Sequence, residues 1–234
     1  MSKLQIVFPL YPGVTHLDFT GPHQVLVRTP DSRVIAASMG GADIEAEGLT
    51  FANLADLAKL EHCDVLCVPG GFGTTEAMLN EAFMAQIRRL GAGARYLTSV
   101  CTGSLILGAA GFLAGKRATS HWAWRDQLAQ FGAIVSDERV VRDGNVLTGG
   151  GVTAGIDFAL TMLAELAGQD YAETVQLGLE YAPAPPFNSG RPELARPEIL
   201  AEVQARMAAM VDQRAAAASE AARRMAPAQA ALKR

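Results

Sequence analysis

The chain has 234 residues, half of them hydrophobic and 19% charged, with a formal net charge of −4. At roughly 150 residues per domain this is one large domain with an appendage, and the composition excludes a disordered body. Twenty basic residues against twenty-four acidic ones leave no surplus to neutralise phosphates, which excludes nucleic acid as a primary partner.

Residues 4–10 form a short apolar run ended by proline and glycine, the profile of a strand buried on both faces. Pro9 and Pro12 interrupt the run, which is too short for a signal core or a membrane span; a cytosolic, membrane-free protein is expected. Further strands are predicted over 34–38, 64–69 and 95–100, and a hairpin over 138–142 and 145–148 around Asp143-Gly144. Apolar residues three or four apart predict helices over 75–90, 103–110, 123–131, 154–166 and 171–181. The alternation of strand and helix predicts an α/β fold: a doubly wound, mostly parallel sheet with helices on both faces. Residues 1–188 are read as this domain, and 189–234 as a linker and an Ala-rich C-terminal helix. That helix, predicted over 198–224, places Ile199, Val203, Met207, Met210 and Val211 on one stripe, with Arg206, Asp212 and Arg214 elsewhere. It either clamps a dimer or lies on its own domain, with fraying expected from Pro227.

The stretch YLTSVCTGSLILGAAG carries the most chemistry. A strand runs directly into Cys101, followed by small Thr102, Gly103 and Ser104 and then a helix, which is the form of a nucleophile elbow. A thiol at a helix N-terminus gains from orphan N–H groups and the helix dipole, so Cys101 is the candidate nucleophile, in thiolate form. Cys63 and Cys67, in EHCDVLCVPGG, lack the second cluster that a tetrahedral metal site needs and read as buried packing. With three cysteines there is no disulfide framework.

PGGFGTT follows a strand and opens a helix, but it fits neither phosphate-loop pattern. Gly71 is instead expected to present its backbone N–H, with that of Thr102, as a two-donor oxyanion hole; a turn that needs positive φ is the alternative. Asp18, in HLDFTGP, reads alone as a helix N-cap. Loops after parallel strands converge on one rim, however, and Asp18, Gly71 and Cys101 all follow strands, which makes Asp18 the candidate acid/base partner of the thiol. His16, His23, His62 and His121 have no evident partner and read as structural or surface residues.

With these residues in place, the chain resembles the ThiJ/PfpI superfamily of the class I glutamine amidotransferase-like fold over residues 4–188. LDFTGP, PGGFGTTEAM, SVCTGSLILGAAGFLAGKRATSHW, ERVVRDGNVLTGGGVTAGIDFAL and LEYAPAPPFN are similar to isonitrile (isocyanide) hydratases. They are also close to the amidotransferase-like domain of AraC-type regulators, which continue into helix-turn-helix units where this chain has one Ala-rich helix. Many superfamily members carry Glu at the Asp18 position, and the protease-like branch has His directly after the Cys, where this chain has Thr102. The resemblance implies hydration of a small-molecule isocyanide to a formamide, in a homodimer with no metal or organic cofactor. Cys101 would attack and Asp18 would move the proton, with Phe72, Val152 and Tyr181 holding the substituent. A glyoxalase-type thiol reaction, or a cysteine redox sensor or ligand-binding module, is the alternative.

Overall fold

The computed structural model describes residues 3–232, with side chains to residue 225. Chain order begins with β1 (Leu4–Pro9), α1 (His16–Leu26), β2 (Ser32–Ser38), a hairpin of β3 (Ile44–Ala46) and β4 (Leu49–Phe51), β5 (Ala55–Asp56) and β6 (Val65–Val68). It continues with α2 (Thr74–Leu79), α3 (Glu81–Gly93), β7 (Tyr96–Val100), α4 (Gly103–Ala109), β8 (Arg117–Ala118), a 3-10 helix (Arg125–Phe131) and β9 (Ile134–Val135). The hairpin of β10 (Val140–Asp143) and β11 (Val146–Gly149) follows, then α5 (Ala154–Ala167), α6 (Gln169–Gly178) and α7 (Pro197–Leu232).

Seven strands form one sheet in the order β10-β11-β7-β6-β1-β2-β5, parallel except for β10 on its edge. β6 is buried at every position and β1 at its last four, which is why both read as unbroken apolar runs. α1 packs on α5 and α5 on α6, while α4 lies against β6 and β7 with α2 and α7 beside it. The doubly wound α/β sandwich expected from the alternation is therefore the fold. From β1 the chain crosses to β2 on one side, and from β6 to β7 on the other. A crevice opens where those directions diverge, at the carboxyl ends of β1, β6 and β7.

The structure departs from the sequence reading in its details. The helix predicted over 75–90 breaks at Asn80, whose Oδ1 accepts the Phe83 N–H at 3.1 Å and starts α3. Residues 125–131 wind as a 3-10 helix, and the hairpin turn falls on Gly144-Asn145, because Asp143 already pairs with Val146. The β3–β4 hairpin has no counterpart among the predicted elements. The C-terminal helix α7 packs on α2, α4 and the 3-10 helix of its own chain, with Met207, Met210 and Val211 against the core. The fraying expected from Pro227 falls beyond the side chains described.

Candidate active site

β7 delivers Cys101, and α4 begins two residues later. The Cys101 backbone is left-handed, at φ +56°, a conformation that costs a non-glycine residue about 1–3 kcal/mol unless its surroundings enforce it. They do so here from both ends of the residue. Its N–H donates to the carbonyls of Gly149 and Gly150 at 3.0 Å each, and its carbonyl accepts the Ser104 and Ser120 hydroxyls, also at 3.0 Å. A Cβ on Gly103 would stand 2.1 Å from the Val68 carbonyl oxygen, so only glycine lets α4 start this close to β6.

Asp18 lies in the first turn of α1, fully buried, and is not its N-cap; that position belongs to Thr15, whose side chain makes no capping bond. One carboxyl oxygen, Oδ2, accepts the Gly70 N–H at 3.1 Å. The other, Oδ1, is buried with no hydrogen-bond partner among the described residues. Burial pushes the Asp18 carboxyl up to about 7, against the opposing pull of the Cys101 thiol and the Gly70 N–H. Burial and the charge of Asp18 likewise push the Cys101 thiol well above its ordinary range, although the Val152 and Thr102 N–H groups at the sulfur pull it down. The donor expected at the helix start is present, but desolvation outweighs it. In place of a resting thiolate, from about pH 7 the site holds a thiol and a carboxyl that together keep one proton and one negative charge.

Gly71 adopts φ +150°, and a Cβ there would come within 2.4 Å of the Gly13 carbonyl oxygen, so the turn requires glycine. Its N–H does not stand free as the sequence reading supposed, because the Thr102 hydroxyl accepts it at 3.0 Å. That hydroxyl also meets Thr74 Oγ1 at 2.7 Å, and Tyr11 extends the chain with its hydroxyl 3.1 Å from Thr74 and donating to the Pro69 carbonyl at 2.8 Å. The backbone donors that face the sulfur are those of Thr102 and Val152, the latter at the unusual φ of +22°.

Cys101 opens on a cavity of about 290 Å³ walled by Leu17, Phe72, Trp124, Val152 and Met207. Of the three residues expected to hold the substituent, Phe72 and Val152 line this cavity with Cys101, and Tyr181 does not. After α6 the chain turns at Glu180 (φ +51°) and sets Tyr181 in a separate groove beside α1 and α5, its hydroxyl donating to Asp157 Oδ1 at 3.1 Å. His121 is more than a surface histidine. It forms part of the cavity wall, its ring 4.9 Å from that of Trp124, and burial holds it down at about 4, with the charge of Arg214 adding to the effect; it is neutral at physiological pH. Cys63 and Cys67 lie in the core away from the cavity, both pushed up to about 12 by burial.

One residue of the site carried no sequence signal. Arg214 of α7 is 1% exposed, its Nη2 donating to the Gly71 and Phe72 carbonyls at 3.0 Å and its Nε to Thr75 Oγ1 at 3.2 Å. The guanidinium lies 4.5 Å over the Trp124 ring. On an Ala-rich helix an arginine reads as a solvated charge, and nothing local in the sequence distinguishes this one.

Residues 4–165 match the DJ-1/PfpI family. The chain belongs to the DJ-1/PfpI family. It is 52% identical to the isonitrile hydratase of Pseudomonas putida over 208 residues, 88% of this chain and 90% of that relative. Protein dj-1beta of Drosophila melanogaster is 30% identical over 76% of this chain and 97% of its own. A solved ThiJ/PfpI family protein from Pseudomonas syringae superposes with a TM-score of 0.90 at 42% identity, covering 93% of this chain and 91% of that one. α7, which brings Arg214 and Met207 to the cavity, lies outside the residues matched to the family. Among the described residues no helix is long and apolar enough to cross a membrane.

Proposed function

We propose that this DJ-1/PfpI protein is an isonitrile hydratase, adding water to R–N≡C to give the formamide R–NH–CHO. One observation carries the reading: a thiol that opens on an apolar cavity stands beside a buried carboxyl, the two coupled through their protons. The terminal carbon of an isocyanide is the atom that receives both a nucleophile and a proton, so this pair suits it. The likeness to the Pseudomonas putida enzyme supports the same assignment.

The Cys101 sulfur bonds to the terminal carbon, and the proton held by the pair passes to that same carbon, giving the thioimidate R–N=CH–S–Cys101. Asp18, then a carboxylate with Oδ1 unpartnered, draws a proton from a water that attacks the thioimidate carbon. The nitrogen is protonated as the C–S bond breaks. Of the two water protons, one ends on nitrogen and the other returns to the pair. The Thr102 and Val152 N–H groups stabilise charge on sulfur as the bond forms and breaks, and Gly71 contributes its N–H only where the Thr102 hydroxyl gives it up. Phe72, Val152 and Trp124 hold the R group. The chemistry asks for no cofactor.

A cytosolic location and a homodimer belong to the same proposal, supported by the unpaired thiols and the family resemblance. Light scattering at micromolar concentration should give about twice the chain mass, and truncation before Glu198 tests whether α7 carries the contact. The function itself is tested by mixing pure protein with an aryl isocyanide and following formamide by mass spectrometry, with methylglyoxal in parallel. Formamide production is expected. Consumption of methylglyoxal with the isocyanide untouched would replace the proposal with a glyoxalase-type reaction.

A further inference from the structure

Arg214 is a buried cation with no carboxylate within 4.0 Å among the described residues, an arrangement that is costly unless the charge meets other partners. Its partners all belong to the Cys101 site. The guanidinium grips the carbonyls of Gly71 and Phe72, residues whose turn is held at a φ open only to glycine, and it shares the cavity wall with Cys101. A lone structural anchor for α7 would need none of this, since Gln127 already ties α7 to the body through the Val211 carbonyl at 3.1 Å and Ser219 bonds Gln130 at 2.6 Å.

We propose that Arg214, delivered by the C-terminal helix, is a positioning residue of the Cys101 site: its guanidinium fixes the Gly71–Phe72 turn and supplies a positive charge that acts on Cys101 within the shared cavity wall. The inference rests on Cys101 being the reactive thiol, but not on the identity of the substrate. The groups that set the local field are few. From the loop after β1 comes Tyr11, held neutral by burial; from α1, His16 and Asp18; from the β3–β4 turn, Glu47. α2 contributes Glu76, whose charge acts on Arg214, and the segment before the 3-10 helix contributes His121, held neutral. α4 carries no ionisable side chain, and Cys67 in β6 stays protonated. Arg214 is therefore the permanent cation among the residues that wall the cavity.

Two variants and one reagent test this. The rate of Cys101 alkylation by iodoacetamide against pH reports thiolate formation directly, with no isocyanide present. Arg214→Met keeps the apolar stem but removes the charge, so the thiolate is disfavoured; the profile should move up by about one pH unit, making alkylation about tenfold slower at pH 8. A purely structural arginine predicts the opposite sign, because releasing α7 would expose Cys101, relieve its desolvation and speed alkylation. Faster alkylation, or a profile unchanged from the parent, would overturn the charge role. Arg214→Lys keeps the charge but loses the planar fork that spans three acceptors, so its profile should match the parent while kcat for the isocyanide falls about tenfold at little change in KM. Parent-like kcat in Arg214→Lys would overturn the positioning role, and Arg214→Gln, which removes the charge but keeps hydrogen-bonding capacity, takes the alkylation test if Arg214→Met does not fold. If the alkylation profiles shift as stated while no variant or parent makes formamide, the proposed reaction fails and the charge role of Arg214 stands.

Discussion

Cys67 lies in β6 and Cys101 directly follows its neighbour β7, and both are buried with their thiols pushed up, yet they occupy different chemical worlds. Cys67 lies within β6 in regular extended register opposite Thr98, surrounded by the core. Cys101 lies one residue past the end of β7, on a left-handed backbone, with the Asp18 carboxyl, two backbone N–H groups and a cavity beside its sulfur. Burial is common to the two and explains neither reactivity nor its absence. The difference lies in where the strand ends: the turn after β7 swings the side chain out of the sheet and into the crevice where the loops after β1 and β6 also arrive.

The widest separation should come from removing each sulfur in turn. Cys101→Ala should lower isocyanide turnover by about a thousandfold or more with the fold retained, since the covalent step is lost. Cys67→Ala should keep turnover near the parent and lower stability instead, by about 1 kcal/mol in urea unfolding. Equal losses of turnover in the two variants would erase the distinction.

The next effect concerns the carboxyl that Cys67 lacks. Asp18→Asn should lower turnover by about a hundredfold or more, as expected for loss of a general acid/base, while Cys101 alkylation becomes faster than in the parent because a like charge beside the thiol has gone. Turnover at the parent rate would reduce Asp18 to a buried hydrogen-bond acceptor for Gly70.

The same substitution should stabilise the protein in a pH-dependent way. Asp18 is pushed up to about 7 in the folded state from an unfolded value of about 4, so the native state holds a proton that the unfolded state releases. Parent stability therefore declines as pH rises from about 4 to about 7 and then levels off. Asp18→Asn should melt at a temperature close to the parent's below pH 4 and higher above pH 7; a constant difference across that window would contradict the upward shift. The smallest effect is expected at Tyr181, whose hydroxyl meets Asp157 in a groove on the far side of the cavity-wall residue Leu17. Tyr181→Phe should leave KM for the isocyanide within about twofold of the parent, in line with the loss of one hydroxyl that does not line the cavity.

The residues that were legible in sequence share a property: their signal is local. Cys101 between an apolar strand and a run of small residues, the PGG turn, and the strand–helix alternation each lie within one short window, and all three set the fold and the crevice. The break at Asn80 was legible in principle, since Asn before Glu81 is a helix start signal inside an otherwise periodic stretch. The burial of Asp18 was not, because only tertiary packing distinguishes a cap from a carboxyl facing a thiol. Arg214 was furthest from view: its partners lie about 140 residues upstream, and on its own helix it looks like any other solvated cation. Tyr181 misled for the converse reason, as an aromatic residue in a matching motif that the turn at Glu180 carries to another face.

The claim on which all of this depends is that Cys101 bonds to the isocyanide carbon. Mass spectrometry of protein quenched during turnover tests it most directly. The account predicts that the peptide containing Cys101 gains the mass of one isocyanide molecule and loses it as formamide accumulates, with no gain on the peptides containing Cys63 and Cys67. Formamide made at the parent rate by Cys101→Ala, or an adduct borne only by another residue, would contradict it.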